Sequence, residues 1–114
     1  MKTRRGMSCK KGDIILINFP FTNLQKSKKR PVILVKDANE LGDFVCFQIT
    51  SKATQNTLRS LDANDLKEGE LKLRSFVNYD KCFTLNAEIV DRKLASASDA
   101  FMNELKTLFC QELF

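Results

Sequence analysis

A cationic segment between two apolar stretches carries the side chains of this sequence that are best suited to bind phosphate. It contains Lys26, Lys28 and Lys29, and it ends at Arg30, directly before Pro31. The proline ring fixes the local backbone, so Arg30 is expected at the rigid start of an apolar strand. A guanidinium on a fixed base presents a planar fork to a phosphate, and nearby lysines add diffuse attraction to a nucleic-acid backbone. For the lysines alone, a solvated loop that keeps the chain soluble is the alternative interpretation.

Two further groups of polar side chains stand at the ends of predicted strands. Thr50 ends the apolar strand in FQITSK, and Ser51 and Lys52 after it complete a cluster of hydrogen-bond donors. An ordinary strand end is the alternative there. Asp80 lies at a strand entrance beside Lys81 in NYDK, where an ordinary turn acid is the alternative.

The composition limits the chemistry that these side chains can perform. None of the 114 residues is a histidine, which excludes catalytic triads, two-histidine ribonuclease schemes and Cys–His pairs. Any catalysis must therefore use Arg, Lys, Asp, Glu, Ser, Thr, Tyr or Cys. The net charge is +5 and the isoelectric point is about 9.1, a balance that permits a polyanionic partner and proves none.

The cysteines do not predict a metal site. Cys9, Cys46, Cys82 and Cys110 are widely spaced, without a CxxC pair or a histidine to complete a zinc site. The last three lie within apolar patterns and are expected to be reduced thiols in the core of a cytoplasmic protein. No metal and no other cofactor is expected.

The elements that must position the candidate residues are mostly strands. Strands are predicted over residues 14–19, 31–35, 44–50 and 58–61, with two more on either side of residues 78 and 79. In the predicted strand over residues 44–50, Val45, Phe47 and Ile49 are expected to share the face that packs on the core. A polar loop is expected around Gly69.

Helical patterns appear late in the chain. Asn86 is predicted to cap a short helix that ends near residue 94, and Ser96 or Ser98 to cap a longer amphipathic helix. The apolar stripe of the longer helix consists of Phe101, Met102, Leu105, Leu108, Phe109 and Leu113. Together these elements predict a mainly β (α+β) fold, a small, partly open barrel of five to seven strands with the C-terminal helix packed on it.

The length allows one compact domain and is too short for two. Residues 12–114 are expected to form this domain, and residues 1–11 to be a basic N-terminal extension that is a candidate for disorder. No apolar run approaches the ~20 residues that span a membrane. The basic start has no apolar stretch behind it, so neither a membrane anchor nor a secretory signal is expected.

Four segments of the chain, taken in order, resemble the signature blocks of one protein family. They are GDIILINFPF, KKRPVILV, FQITSK and SFVNYDKCFTL, and the resemblance covers about residues 11–113. The family is that of the PemK/MazF toxins, the ribonuclease halves of bacterial type II toxin–antitoxin pairs. The resemblance implies an SH3-like barrel, a cytoplasmic homodimer, and metal-independent, sequence-specific cleavage of single-stranded mRNA to 2′,3′-cyclic phosphate and 5′-hydroxyl ends. It also implies a cognate antitoxin, expected to be acidic, and DNA binding together with that antitoxin.

The resemblance assigns roles to individual residues as well. Arg30 matches the arginine of the Arg-Pro block and Thr50 the threonine after the third strand, and both are catalytic in the family. Asp80 matches an aspartate of the PemK branch that is a proposed general base. Asn78 stands where that branch has an arginine, and the histidine of its first loop is missing here. The expected RNA-binding residues are Lys26, Lys28, Lys29, Ser51, Lys52, Asn78 and Lys81.

Two other functions stay open on the sequence. CcdB-type toxins are similar in fold and poison DNA gyrase by contact, without RNA chemistry. A non-catalytic, nucleic-acid-binding barrel would also fit Asn78 in place of the arginine. Discrete fragments from a long unstructured RNA incubated in EDTA would separate cleavage from both alternatives.

Overall fold

The computed structural model describes residues 9–20, 27–53 and 57–113, and within them seven antiparallel strands form one sheet that is followed by a helix. The strands are β1 (Asp13–Pro20), β2 (Ser27–Leu34), β3 (Asp43–Thr50), β4 (Leu58–Leu61), β5 (Leu66–Gly69), β6 (Ser75–Asn86) and β7 (Val90–Ala97), and the helix is α1 (Asp99–Leu113). The strand order is β4-β6-β3-β2-β1-β7-β5, and the sheet is a half-barrel. The mainly β fold with a C-terminal helix is therefore confirmed. Lys26 and most of the predicted N-terminal extension lie outside the described residues.

The central strands are buried on both faces, which explains why their sequences are nearly continuous apolar runs. In β3, Phe47 and Ile49 belong to the cluster that includes residues of α1. Phe44 and Cys46 belong to a second cluster on the opposite face, which also contains Cys9. The predicted alternation of side chains along β3 is correct, but both of its faces contribute to a core.

The helix α1 packs on the sheet through its predicted apolar stripe. The backbone N–H of Phe101 donates a hydrogen bond to Ser98 Oγ at 3.2 Å, so Ser98 is the cap. The buried members of the stripe are Phe101, Met102 and Leu105, with Leu108 and Phe109 partly buried. Exposed Glu104 pairs with Arg59 of β4, and this guanidinium lowers the pKa of the Glu104 carboxyl. Among the described residues, no helix has the length and apolarity needed to cross a membrane.

The short helix predicted after Asn86 is wrong, although the cap itself is correct. The backbone N–H of Glu88 donates a hydrogen bond to Asn86 Oδ1 at 2.9 Å, but this cap starts only a 3₁₀ turn over Ala87–Ile89. The chain then continues as the strand β7, which pairs with β1 on one side and with β5 on the other. Pairing along both edges of a strand outweighs a weak local helix preference.

The polar loop predicted around Gly69 is wrong as well, because Leu66–Gly69 is the edge strand β5. Gly69 has a φ of +78°, and a Cβ atom there would lie 2.5 Å from Leu94 O and 2.7 Å from Ala95 Cα. Only glycine allows β5 to approach β7 so closely. An edge strand with charged side chains is a common arrangement, so the polar sequence is compatible with a strand.

The cysteines fall into a buried and an exposed pair. Cys9 and Cys46 are buried, and burial raises the pKa of the Cys46 thiol to about 12. Cys82 and Cys110 are exposed, so their predicted place in the core is wrong. Apolar neighbours in the sequence did not decide their burial. Cys82, for example, lies opposite Phe47 in the β3–β6 ladder and lines an open pocket beside α1, where it stays exposed.

Candidate active site

A groove of about 430 Å³ opens where β2 begins and β3 ends. Four of its lining residues are cations, and none of the described residues that line it is acidic. The groove therefore attracts anions. Its lining residues are Lys28, Lys29, Arg30, Pro31, Ile49, Thr50, Ser51, Lys52, Leu73 and Ser75. Six of the residues that the sequence predicts for the site lie together here, and Lys26 is outside the described residues.

The strand register explains why Arg30 and Thr50 meet. Val32 of β2 pairs with Gln48 of β3, and the same register extended by two residues puts Arg30 opposite Thr50. Directly opposite residues point to the same face of a sheet, so both side chains reach the same space. The β2–β3 pairing ends at Val32, next to Pro31, which has no N–H to donate. Beyond this point β2 and β3 no longer pair with each other, and their ends form the walls of the groove.

Arg30 is held from its other side too. It pairs with Ile17 of β1, and it borders a small recess that is also lined by Val32 and Phe83. Long cationic side chains commonly lay their aliphatic stems on apolar surface and keep the charged end in water. This packing restricts the orientations of a guanidinium that is only partly exposed.

Thr50 has a defined hydroxyl position. Its Oγ1 atom accepts a hydrogen bond from the backbone N–H of Lys52 at 3.1 Å. On the other edge of β3, Thr50 pairs with Phe76 of β6. A hydroxyl that accepts one hydrogen bond can still donate its own hydrogen. Thr50 is therefore suited to donate to an anion in the groove.

Asp80 and Lys81 lie on a bulge of β6, and they are not among the residues that line the groove. Phe47 of β3 pairs with Cys82, but the next residue, Gln48, pairs with Asn78. The three residues 79–81 are thus additional to the ladder. The two strands predicted on either side of residues 78 and 79 are in fact one strand, since the bulge interrupts its pattern without ending it.

Asn78 is buried beside this bulge, with 2% of its surface exposed. Its Oδ1 atom accepts hydrogen bonds from Thr57 Oγ1 at 3.1 Å and from the backbone N–H of Asp80 at 3.1 Å. The backbone N–H of Tyr79 donates to the carbonyl of Thr57 at 3.2 Å. These hydrogen bonds join the Asn78 amide to the bulge, and Asn78 is not among the residues that line the groove.

One acidic residue beside the groove has no counterpart in the sequence prediction. Lys29 Nζ lies 3.3 Å from Asp91 Oδ2, and Asp91 belongs to β7. Residues around Asp91 were predicted to be helical, so nothing in the sequence placed it near Lys29. Its position becomes apparent only from the order of the strands.

Sequence comparison identifies the family. Over residues 10–113 the chain matches the family described as PemK-like, MazF-like toxin of type II toxin–antitoxin system. The chain belongs to this family. The resemblance predicted from the four signature blocks is confirmed over almost the same range. A comparison with curated protein sequences gave no significant match.

Solved structures with the same fold include toxins of this family. A MazE–MazF complex from Deinococcus radiodurans has a TM-score of 0.73 at 20% identity, over 91% of this chain and 94% of that chain. An endoribonuclease in complex with its cognate antitoxin from a mycobacterial species has a TM-score of 0.71 at 18% identity, over 91% and 93%. The Mycobacterium tuberculosis toxin MazF-mt6 has a TM-score of 0.66 at 18% identity, over 89% and 95%. At these identities the likeness shows that this PemK/MazF-like toxin shares their fold.

Proposed function

We propose that this PemK/MazF-like toxin is a sequence-specific endoribonuclease that cleaves single-stranded mRNA without a metal ion. The main support is the convergence of Arg30 and Thr50 in a groove with four cations and, among the described residues, no acidic lining. A polyanion can enter such a groove, and its phosphate can meet a guanidinium and a hydroxyl together. One of the structurally similar proteins is itself an endoribonuclease.

The proposed chemistry uses the 2′-hydroxyl of the RNA as the nucleophile. This oxygen loses its proton and attacks the adjacent phosphorus, and the bond to the 5′-oxygen of the next nucleotide breaks. The products are a 2′,3′-cyclic phosphate and, after protonation, a 5′-hydroxyl. Arg30 grips two non-bridging oxygens where negative charge grows, and Thr50 donates a neutral hydrogen bond to the same phosphate.

The residues of the β6 bulge have a different part in this proposal. Asp80 is the proposed general base, and Lys81 a contact to the RNA backbone. Both are exposed, which is compatible with a substrate that extends from the groove across the bulge. Asn78 acts through the shape of the bulge, because its amide oxygen is already engaged by Thr57 and Asp80.

The proposed partners are an acidic antitoxin and a second copy of the chain, and the proposed location is the cytoplasm. One of the similar structures is an endoribonuclease in complex with its cognate antitoxin, and another is a MazE–MazF complex. An acidic partner is expected from charge, since the chain has a net charge of +5 and a cationic groove.

The test is cleavage of a long unstructured RNA by the purified protein in EDTA. We expect discrete fragments with 2′,3′-cyclic phosphate ends, and no cleavage of an oligonucleotide that has 2′-deoxyribose at the cut site. Activity that disappears in EDTA and returns with magnesium would contradict the metal-independent mechanism. Binding of nucleic acid or gyrase without any cleavage would favour the non-catalytic alternatives.

A further inference from the structure

The groove has a negatively charged neighbour just outside its lining. Lys29 is one of the residues that line the groove, and its Nζ atom lies 3.3 Å from Asp91 Oδ2. Asp91 is on β7, which is separated from the strand of Lys29 by β1. A carboxylate therefore faces one of the four cations on which anion binding depends.

A bulge in β7 brings Asp91 to this place. Leu16 of β1 pairs with Arg92 and the next residue, Ile17, pairs with Val90, so Asp91 is the additional residue. Bulges of this kind re-aim a side chain relative to the regular ladder. The contact with Lys29 is thus a product of an irregular register and not of ordinary alternation along the strand.

The two side chains differ in how firmly they are held. The Asp91 side chain is 21% exposed, whereas the Lys29 side chain is 57% exposed. The acid is fixed by the sheet, and the lysine is a long chain in water that can change its partner. An ion pair this exposed adds little to stability, so a phosphate oxygen can compete for the ammonium.

We propose that Asp91 occupies Lys29 in the free protein and that an RNA phosphate displaces it. Lys29 then marks a phosphate subsite next to Arg30, and Asp91 limits the affinity of that subsite. The inference rests on the proposed function, because the phosphate belongs to an RNA substrate. In the complex the Asp91 carboxylate stays near the bound phosphate and repels it, which speeds the release of cleaved RNA.

The first experiment compares two variants that each remove one carboxylate charge. Asp91→Asn keeps the shape of the side chain, and Glu68→Gln neutralises the exposed partner of Lys93, a pair outside the groove. The probe is a mixed-sequence pool of 2′-O-methyl oligoribonucleotides, which cannot be cleaved. At low salt, Asp91→Asn is expected to lower Kd by about two- to fivefold, the range for an exposed ion pair. The gain should shrink as salt rises, and Glu68→Gln should change Kd much less.

The second experiment asks whether Asp91 acts through Lys29. In a Lys29→Gln background the gain from Asp91→Asn should disappear, because the cation of the subsite is absent. An equal decrease in Kd in both backgrounds would show that the Asp91 charge repels RNA without acting through Lys29. That result would overturn the proposal that phosphate displaces Asp91 from Lys29. Weaker binding by Asp91→Asn would overturn it as well, since Asp91 would then be positioning Lys29 for RNA.

Folding and nuclease function are checked separately. Thermal unfolding of each variant verifies the fold, and Asp91→Ser provides a second substitution that should give the same gain. If the wild-type protein binds the pool but cuts no RNA, the proposed nuclease function fails. The Kd values of the variants still show whether a phosphate displaces Asp91 from Lys29.

Discussion

The proposed role of Arg30 depends on a restricted side chain. Arg30 pairs with Ile17, precedes Pro31 and lies beside an apolar recess, so its guanidinium has few orientations to lose when phosphate binds. Thr50 faces the same space from β3. The sequence alone draws attention to both residues, because an Arg-Pro step and a hydroxyl at the end of an apolar strand are local features.

Arg30→Ala is expected to lower the cleavage rate at saturating RNA by ~100-fold or more, because it removes the donors that neutralise the growing phosphate charge. Arg30→Lys should restore little, since an ammonium does not replace the two-pronged contact. Thr50→Ala should cost less than Arg30→Ala, because it removes one neutral hydrogen bond. Single-turnover kinetics on a defined RNA measure all three.

The control for these variants is Arg92→Ala, which removes an exposed arginine of β7 that does not line the groove. Its cleavage rate should equal that of the wild type. A folded Arg30→Ala protein with the wild-type rate would refute the assignment of Arg30.

The contact between Asp91 and Lys29 could not be predicted from the sequence. It joins residues of β2 and β7, with β1 between them. Neither the spacing of the two residues in the chain nor their local patterns carries this information. It depends on the strand order and on the bulge at Asp91, and neither can be read from single elements.

At the scale of elements, strongly periodic sequence patterns predicted the correct secondary structure, whereas short irregular patterns predicted the wrong one. The alternation in β3 and the stripe of α1 each bury several side chains in a defined direction, so local sequence and tertiary packing agree there. The segment after Asn86 and the segment around Gly69 are short. Their conformation is set by pairing with β1 and β7, which a local pattern does not contain.

The β6 bulge gives a prediction about an element that carries a proposed catalytic residue. Thr57→Val removes the hydroxyl that donates to the buried Asn78 amide and keeps the shape of the side chain. We expect a loss of about 1–3 kcal/mol in the free energy of unfolding, because a buried polar atom loses a partner. If Asp80 is the general base, the cleavage rate should fall as well, since the bulge that presents it loosens.

Urea unfolding and single-turnover cleavage provide the two measurements. Thr57→Ser keeps the hydroxyl and is the matched control, and it should retain most of the stability and activity. Asp80→Asn tests the base itself, and combining it with Thr57→Val should add little further loss of activity. Wild-type stability in Thr57→Val would mean that the hydrogen bond to Asn78 does not hold the bulge.

At the scale of the whole molecule, charge determines which partners can reach the groove. The chain carries a net charge of +5, and four cations line one opening with no acidic residue among the described lining. RNA and an acidic protein segment would both be drawn to the same place. The proposed antitoxin is therefore expected to inhibit by occupying the site of the substrate.

We predict that an acidic antitoxin and RNA compete for the groove, and that the affinity of the antitoxin falls as salt rises. A disordered acidic segment with a few apolar anchors would place carboxylates near Lys29 and Arg30 as it folds on binding. The measurement is a titration of the toxin–antitoxin complex with 2′-O-methyl RNA. Simultaneous binding of both ligands, with neither weakening the other, would mean that inhibition occurs elsewhere.

The β6 bulge also affects how the chain can change in length over evolution. Residues 79–81 lie between two stretches of β6 that are registered separately against β3. An insertion or deletion at residues 80 and 81, which are exposed, leaves Asn78 opposite Gln48, Cys82 opposite Phe47 and the buried Tyr79 in the core. Within either registered stretch, the same change would turn every following side chain to the other face of the sheet. A change in length is therefore best tolerated at this point, two residues along β3 from Thr50, because the rest of the β3–β6 ladder keeps its register.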